Sequence, residues 1–167
     1  ARGRDAQVIT PAPTDEFALD LRDLRKEFKG TVAVDGVTMT VPRGEVFGLV
    51  GPDGAGKSTL IRMMATVLAP TSGDAFVFGR SVVTEAAKVK PRIGYMSQTF
   101  SLYRDLTVRE NLEFFAELRG VPRKEMASRS AKLLEFSGLT EFAKRQAQYL
   151  SGGMKQKLAL CCALIHD

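Results

Sequence analysis

The residues Gly51-Pro52-Asp53-Gly54-Ala55-Gly56-Lys57-Ser58 fill every fixed position of the spacing G-x-x-x-x-G-K-[ST]. These residue types together make a phosphate cradle. Glycines let backbone N–H groups converge on phosphate oxygens without side-chain obstruction. Lys57 supplies charge for the β- and γ-phosphates of a nucleotide. Ser58 offers a hydroxyl to Mg²⁺, and Thr59 follows as the next residue of the binding run. The positive dipole end of a following helix reinforces the site. A glycine-rich turn before a helix is the bland alternative, and the full match with both flanks correct weighs against it. By itself the spacing would equally suit a small-molecule kinase or a GTPase.

A second group lies further along. Ser151-Gly152-Gly153 opens a predicted helix and combines a hydroxyl, unobstructed backbone donors and a dipole end. Taken alone it reads as an N-cap serine with loop glycines.

The flanking sequence must position these residues. Phe17, Leu19 and Leu21 alternate with polar or small neighbours, which is strand period. Asp35-Gly36 is a turn signal, Val37, Met39 and Val41 alternate again, and Pro42-Arg43-Gly44 forms a second turn. These segments predict a small antiparallel sheet. Val46 to Val50 is a continuous apolar run, which predicts a strand buried on both faces and leading into the phosphate loop. After the loop, Leu60, Ile61, Met64 and Leu68 share one helical face, and the helix ends before Pro70-Thr71-Ser72-Gly73. Ala75 to Phe78 and Ile93 to Met96 are further strand candidates.

From Thr107 the pattern is helical. Thr107-Val108-Arg109-Glu110 has capping-box spacing, and Leu112, Phe115 and Leu118 continue an apolar stripe. Gly120 and Pro122 separate this helix from one over Lys124 to Phe136. Thr140 to Gln148 predicts a short helix. The last helix presents Leu158, Cys161, Cys162 and Ile165 on its apolar face.

Composition sets outer bounds. Hydrophobic residues make up 44% of the 167 and charged residues 26%, the balance of a soluble globular domain. No apolar run approaches the roughly 18 residues of a membrane span. The adjacent Cys161 and Cys162 are poor disulfide partners on a helix and read as core residues in a reducing compartment. The net charge of +5 comes without an aromatic-interleaved basic stripe, so no nucleic-acid partner is expected. Ala1 to Glu16 has the composition of a linker or tail.

Leu150-Ser151-Gly152-Gly153-Met154-Lys155-Gln156 resembles the LSGGQ signature of ABC ATPases, with Met154 in the glutamine slot. Gly44 to Pro52 resembles that family's approach to its phosphate loop. Pro70-Thr71-Ser72-Gly73 resembles its turn after the first helix. Gln98 sits as the Q-loop glutamine does, and Asp105 to Leu112 resembles the opening of the helical subdomain. The likeness runs from Phe17 to the last residue and is nearest the exporter-like branch that works with multidrug or ABC-2 type permeases.

The resemblance implies an α/β fold: a P-loop NTPase, RecA-like core with a small antiparallel β subdomain and an α-helical subdomain, C-terminally incomplete. The implied division is 1–16 tail, 17–99 core with the phosphate loop, 100–150 helical subdomain, and 151–167 signature with its helix. ATP with Mg²⁺ would lie on residues 51–59, and Ser151, Gly152 and Gly153 would hold the nucleotide of a second ATP-binding domain. That second domain would be an identical, fused or heterologous copy. Phe28 stands where the family places an aromatic ring against adenine, with a core phenylalanine as the competing reading. Lys57 and Gln98 would be the catalytic residues, with Gln98 touching Mg²⁺ and the attacking water. Asp53 replaces the commoner asparagine, and its carboxylate would repel phosphate unless it points outward.

The Walker B strand ending in Asp-Glu, the D-loop and the switch histidine are not among these residues, and Leu164 to Asp167 reads as the end of a helix. The 167 residues alone are therefore expected to be catalytically incomplete, with apolar strand edges left unpaired. The expected role is ATP hydrolysis coupled to export. A transmembrane permease would dock near Gln98 to Tyr103 and the helical segment after it, and the location would be cytoplasmic, on the inner membrane face. A soluble ABC ATPase of translation or DNA repair and a non-hydrolysing nucleotide-binding module are the alternatives.

Overall fold

The computed structural model describes residues 15–98 and 102–166. Most of the expected tail, residues 1–14, and residues 99–101 of the expected docking segment lie outside them. The chain divides into two compact units, 1–93 and 94–167.

The first unit is built on one sheet. Strands β1 (Phe17–Phe28) and β2 (Thr31–Pro42) form a long hairpin, and β3 (Ser72–Val77) and β4 (Arg80–Ser81) extend it. The order is β2-β1-β3-β4, and every pairing is antiparallel. The hairpin turns at Lys29-Gly30, not at Asp35-Gly36 as the sequence predicts. Both turn residues have positive φ, 43° and 85°, which matches the twist of the flanking strands. Asp35-Gly36 lies inside β2 where the register shifts, so its turn signal marks a bulge.

A second bulge explains the core. Leu21 pairs with Met39 and Leu24 with Val37, so three steps on β1 oppose two on β2. Asp23 takes up the difference at φ 48°. Leu21 and Leu24 can therefore both be buried although strict alternation would put them on opposite faces. They pack with Val34, Leu60, Met63, Ala75 and Val77.

Helix α1 (Lys57–Met64) supplies Leu60 and Met63 to this core. It stops before Leu68, and Ile61 is exposed, so the buried face is narrower than the predicted one. A short α2 (Ala86–Val89) follows β4. Two strand expectations fail. Residues 45–50 and 93–97 join no ladder, and Val46 and Val50 are almost fully exposed. An apolar run becomes a two-sided buried strand only when neighbours bond it on both edges. No described strand pairs with it here.

The second unit is helical. Helix α3 (Val108–Leu118) begins with a complete capping box: Glu110 N–H donates to Thr107 Oγ1 at 3.2 Å, and Thr107 N–H donates to Glu110 Oε2 at 2.7 Å. Helix α4 (Arg123–Ser137) ends at Gly138 with φ 67°, a left-handed cap. Helix α5 (Gly152–Leu164) closes the unit. Thr140 to Gln148 is not one helix but two 3-10 turns, Thr140–Phe142 and Ala147–Tyr149, joined by a turn and a bend that end at the extended Gln146. That backbone pairs with the segment before α3 at Thr107 and Gln146. Leu112, Ala116, Leu134, Leu158, Cys161, Cys162 and Ile165 form the core, including the whole predicted apolar face of α5.

Asn111 is fully buried and serves as the polar staple of this unit. Its Oδ1 accepts from Tyr103 N–H at 2.9 Å. Its Nδ2 donates to the carbonyls of Tyr103, Leu106 and Thr107 at 3.0, 3.2 and 2.9 Å. A buried amide is tolerated only when its polar atoms are satisfied, and this one ties the 103–107 segment to α3.

Candidate functional site

The phosphate loop meets α1 at Gly56. This residue is the N-cap with φ 81° and makes no side-chain cap. The first helical bond runs from Leu60 N–H to the Gly56 carbonyl at 2.8 Å. The N–H groups of Lys57, Ser58 and Thr59 therefore precede the helical ladder and can serve an anion. No acidic residue occupies the first turn to oppose one.

Two further geometries define the loop. Gly54 has φ 82°, and Ala55 N–H donates to the Pro52 carbonyl at 3.3 Å. Lys57 Nζ folds back over the loop and donates to the carbonyls of Gly51 and Pro52 at 2.6 and 2.5 Å. The ammonium is thus held at the start of the loop by its own carbonyls. Ser58 and Asp53 are both exposed.

A cleft of about 420 Å³ opens beside the loop. Gly54 to Lys57 line one side, and Val32, Val34, Val37, Leu49 and Val50 supply apolar wall. The valine wall of β2 was not among the sequence-predicted site residues. Its signal was the period of Val32, Val34 and, past the bulge, Val37. Phe28 lies at the end of β1, 44% exposed, with the Lys26 ammonium 5.0 Å from its ring. This exposure contradicts the core-phenylalanine reading.

The residues fit a nucleotide: loop donors, an ammonium and an apolar wall share one cleft. They fit Mg²⁺ only together with phosphate. Among the described residues no group of three or more His, Cys, Asp or Glu side chains could hold a metal. The Ser58 hydroxyl would have to share the ion with phosphate oxygens.

The second unit holds the other candidates. Ser151 caps α5, its Oγ accepting from Met154 N–H at 3.3 Å. Gly152 and Gly153 follow in the first turn, exposed, and a Cβ on either would meet nothing within 4 Å. Met154 packs partly buried against the helical core. Gln98 is exposed and lines a cleft of about 510 Å³ with Met96, Ser97, Gly152, Lys155 and Gln156. Ser58 and Gln98, the expected metal-contacting pair, belong to different units.

The loop, the helix that follows it and the adjoining cleft define a P-loop nucleotide-binding protein. The family model described as ABC transporter matches residues 34–167. A probable multidrug ABC transporter ATP-binding protein of Escherichia coli, YbhF, is 41% identical over 152 residues, covering 91% of this chain and 26% of the relative. The daunorubicin/doxorubicin resistance ATP-binding protein DrrA of Streptomyces peucetius is 40% identical, covering 89% of the chain and 45% of the relative. A solved ATP-binding subunit of an ABC transporter superposes with TM-score 0.79 at 30% identity, over 89% of this chain and 62% of that one. The chain belongs to the ABC transporter family of ATP-binding domains. It spans about a quarter to a half of these curated relatives.

Proposed function

We propose that this chain is the nucleotide-binding part of an ABC exporter ATPase, working with a membrane permease on the cytoplasmic side. One observation carries the reading: the chain holds two sets of glycines with opposite structural status. Gly56 is demanded by the fold, because a Cβ there would lie 2.1 Å from the Ala33 carbonyl oxygen. Gly152 and Gly153 are not demanded, because among the described residues nothing lies within 4 Å of a Cβ built on either. Glycine in a helix costs up to about 1 kcal/mol relative to alanine, so that open space is best explained by close approach of something outside the chain. Phosphate from a nucleotide held by a second ATP-binding domain fits the hydroxyl, donors and dipole end at Ser151.

In this reading Gly51 to Thr59 cradle the triphosphate, Lys57 neutralises the β- and γ-oxygens, and Ser58 shares Mg²⁺ with them. Phe28 offers a ring face for adenine. Gln98 orients the attacking water and links the site to the permease. The exposure of its amide, on a cleft shared with the signature helix, supports that role. The relatives named above are multidrug and drug-resistance transport components, which favours export over translation or DNA repair. No helix among the described residues is long and apolar enough to cross a membrane, so membrane work would go through a partner.

Calorimetric titration with Mg-ATP tests the reading. Saturable binding that Lys57→Ala abolishes is expected. Equal binding by both proteins, or none by a folded wild type, would remove the phosphate loop from the function.

A further inference from the structure

The end of β1 that carries Phe28 is clamped by chain that belongs to no strand. Three bonds join it to the segment between α1 and β3. Lys26 Nζ donates to the Ala69 carbonyl at 2.7 Å. Thr71 N–H donates to the Arg25 carbonyl at 2.8 Å, and Glu27 N–H donates to Thr71 Oγ1 at 3.0 Å. Ala69 and Thr71 follow the helix that starts at Lys57, so one short stretch of chain links the phosphate loop to the tip of the hairpin.

The clamp places a charge on Phe28. The Lys26 ammonium lies over the Phe28 ring, 5.0 Å from its centroid, while it also donates to Ala69. Lys26 and Phe28 are two residues apart on one strand, so strand alternation brings both side chains to one face, where they meet. Across the hairpin Lys26 pairs with Val34, a wall residue of the phosphate-loop cleft, and Phe28 pairs with Thr31, the neighbour of Val32 in the same wall. An exposed phenylalanine at a hairpin tip otherwise has several staggered rotamers open to it. A cation held over one face selects the rotamer that makes the contact and covers that face. The opposite face is left for a flat ligand.

We propose that Lys26 is a positioning residue for the base of the nucleotide: pinned by the Ala69 carbonyl, it holds the Phe28 ring with one face covered and the other presented to adenine. The proposal deepens the reading of Phe28 as the adenine platform and rests on it. Lys26 acts through Phe28, so its effect belongs to the base and not to the phosphates.

The test is calorimetric titration of the full-length protein with Mg-ATP and, separately, with magnesium tripolyphosphate, which carries phosphates without a base. Lys26→Met keeps the stem and removes the charge. It should weaken Mg-ATP about fourfold, the size of one exposed cation–π contact, and leave tripolyphosphate binding unchanged. Lys26→Arg can still donate to Ala69 and lie over the ring, and it should restore Mg-ATP binding to within about twofold. Phe28→Leu should weaken Mg-ATP about tenfold, and adding Lys26→Met to it should weaken binding no further. Far-UV dichroism checks that each variant is folded. Equal weakening of ATP and tripolyphosphate by Lys26→Met overturns the proposal, because the clamp would then support the phosphate loop instead. So does an effect that persists in the Phe28→Leu background, failure of the arginine to restore binding, or no effect of Lys26→Met where Phe28→Leu has one. If Phe28→Leu binds Mg-ATP like the wild type while Lys57→Ala does not, the adenine reading of Phe28 is what fails, and this proposal goes with it.

Discussion

A Cβ built on Gly56 would sit 2.1 Å from the carbonyl oxygen of Ala33. The phosphate loop is therefore seated directly against β2, and only glycine allows the approach. Gly54 has nearly the same φ but open space around it. Gly56→Ala combines left-handed strain with a backbone clash and should cost about 3 kcal/mol, with loss of Mg-ATP binding. Gly54→Ala meets the strain alone and should cost about 1 kcal/mol. Urea denaturation of the two variants measures the difference, and equal losses would contradict the close approach.

Gly152 and Gly153 should behave in the opposite way. Alanine at either position meets no neighbour and improves helix propensity in α5. Stability should stay level or rise by up to about 1 kcal/mol. ATPase activity of the full-length protein should nonetheless fall at least tenfold, because the added methyl groups occupy the approach of the nucleotide. Unchanged turnover in both variants would return these glycines to a loop role.

Asn111 is a test of the second unit. Asn111→Leu retains bulk but leaves the Tyr103 N–H and three carbonyls without their side-chain partner. A loss of about 3 kcal/mol is expected from buried groups left unmade. Hydrogen exchange should speed up most at Tyr103, whose N–H the side chain holds. A loss under about 1 kcal/mol would show that the segment is held mainly by its pairing with residues 143–148.

The thiols give a pH dependence. Burial pushes both Cys161 and Cys162 above the ordinary thiol range, and the Cys161 charge adds to the effect on Cys162. Cys161 Sγ also donates to the Leu133 carbonyl at 3.5 Å. A raised folded pKa means that the folded state keeps its protons longer than the unfolded state. The associated stability is complete below the unfolded thiol pKa of about 8.5 and is lost as pH rises above it. Denaturation midpoints should fall between pH 8 and 10, and less so in Cys161→Ala/Cys162→Ala. In the native protein both thiols should resist a thiol reagent at pH 7.

The phosphate loop, the capping box at Thr107 and the N-cap at Ser151 were legible in the sequence, because each is a local device. Their partners lie within a few residues, so spacing alone states the geometry. The apolar face of α5 was legible for the same reason. Long-range pairing was not legible. The hairpin turns at Lys29-Gly30 because the register of β1 on β2 requires it, and Asp35-Gly36 becomes a bulge inside the ladder. Val46 to Val50 has the composition of a buried strand, but a strand is made by its neighbours, and the described sheet gives it none. The valine wall of the nucleotide cleft and the contrast between Gly56 and Gly152 share this origin. Sequence fixes which groups can bind phosphate. Tertiary structure decides which glycines the fold itself consumes and which are left for a ligand, because that depends on what atoms lie across the gap.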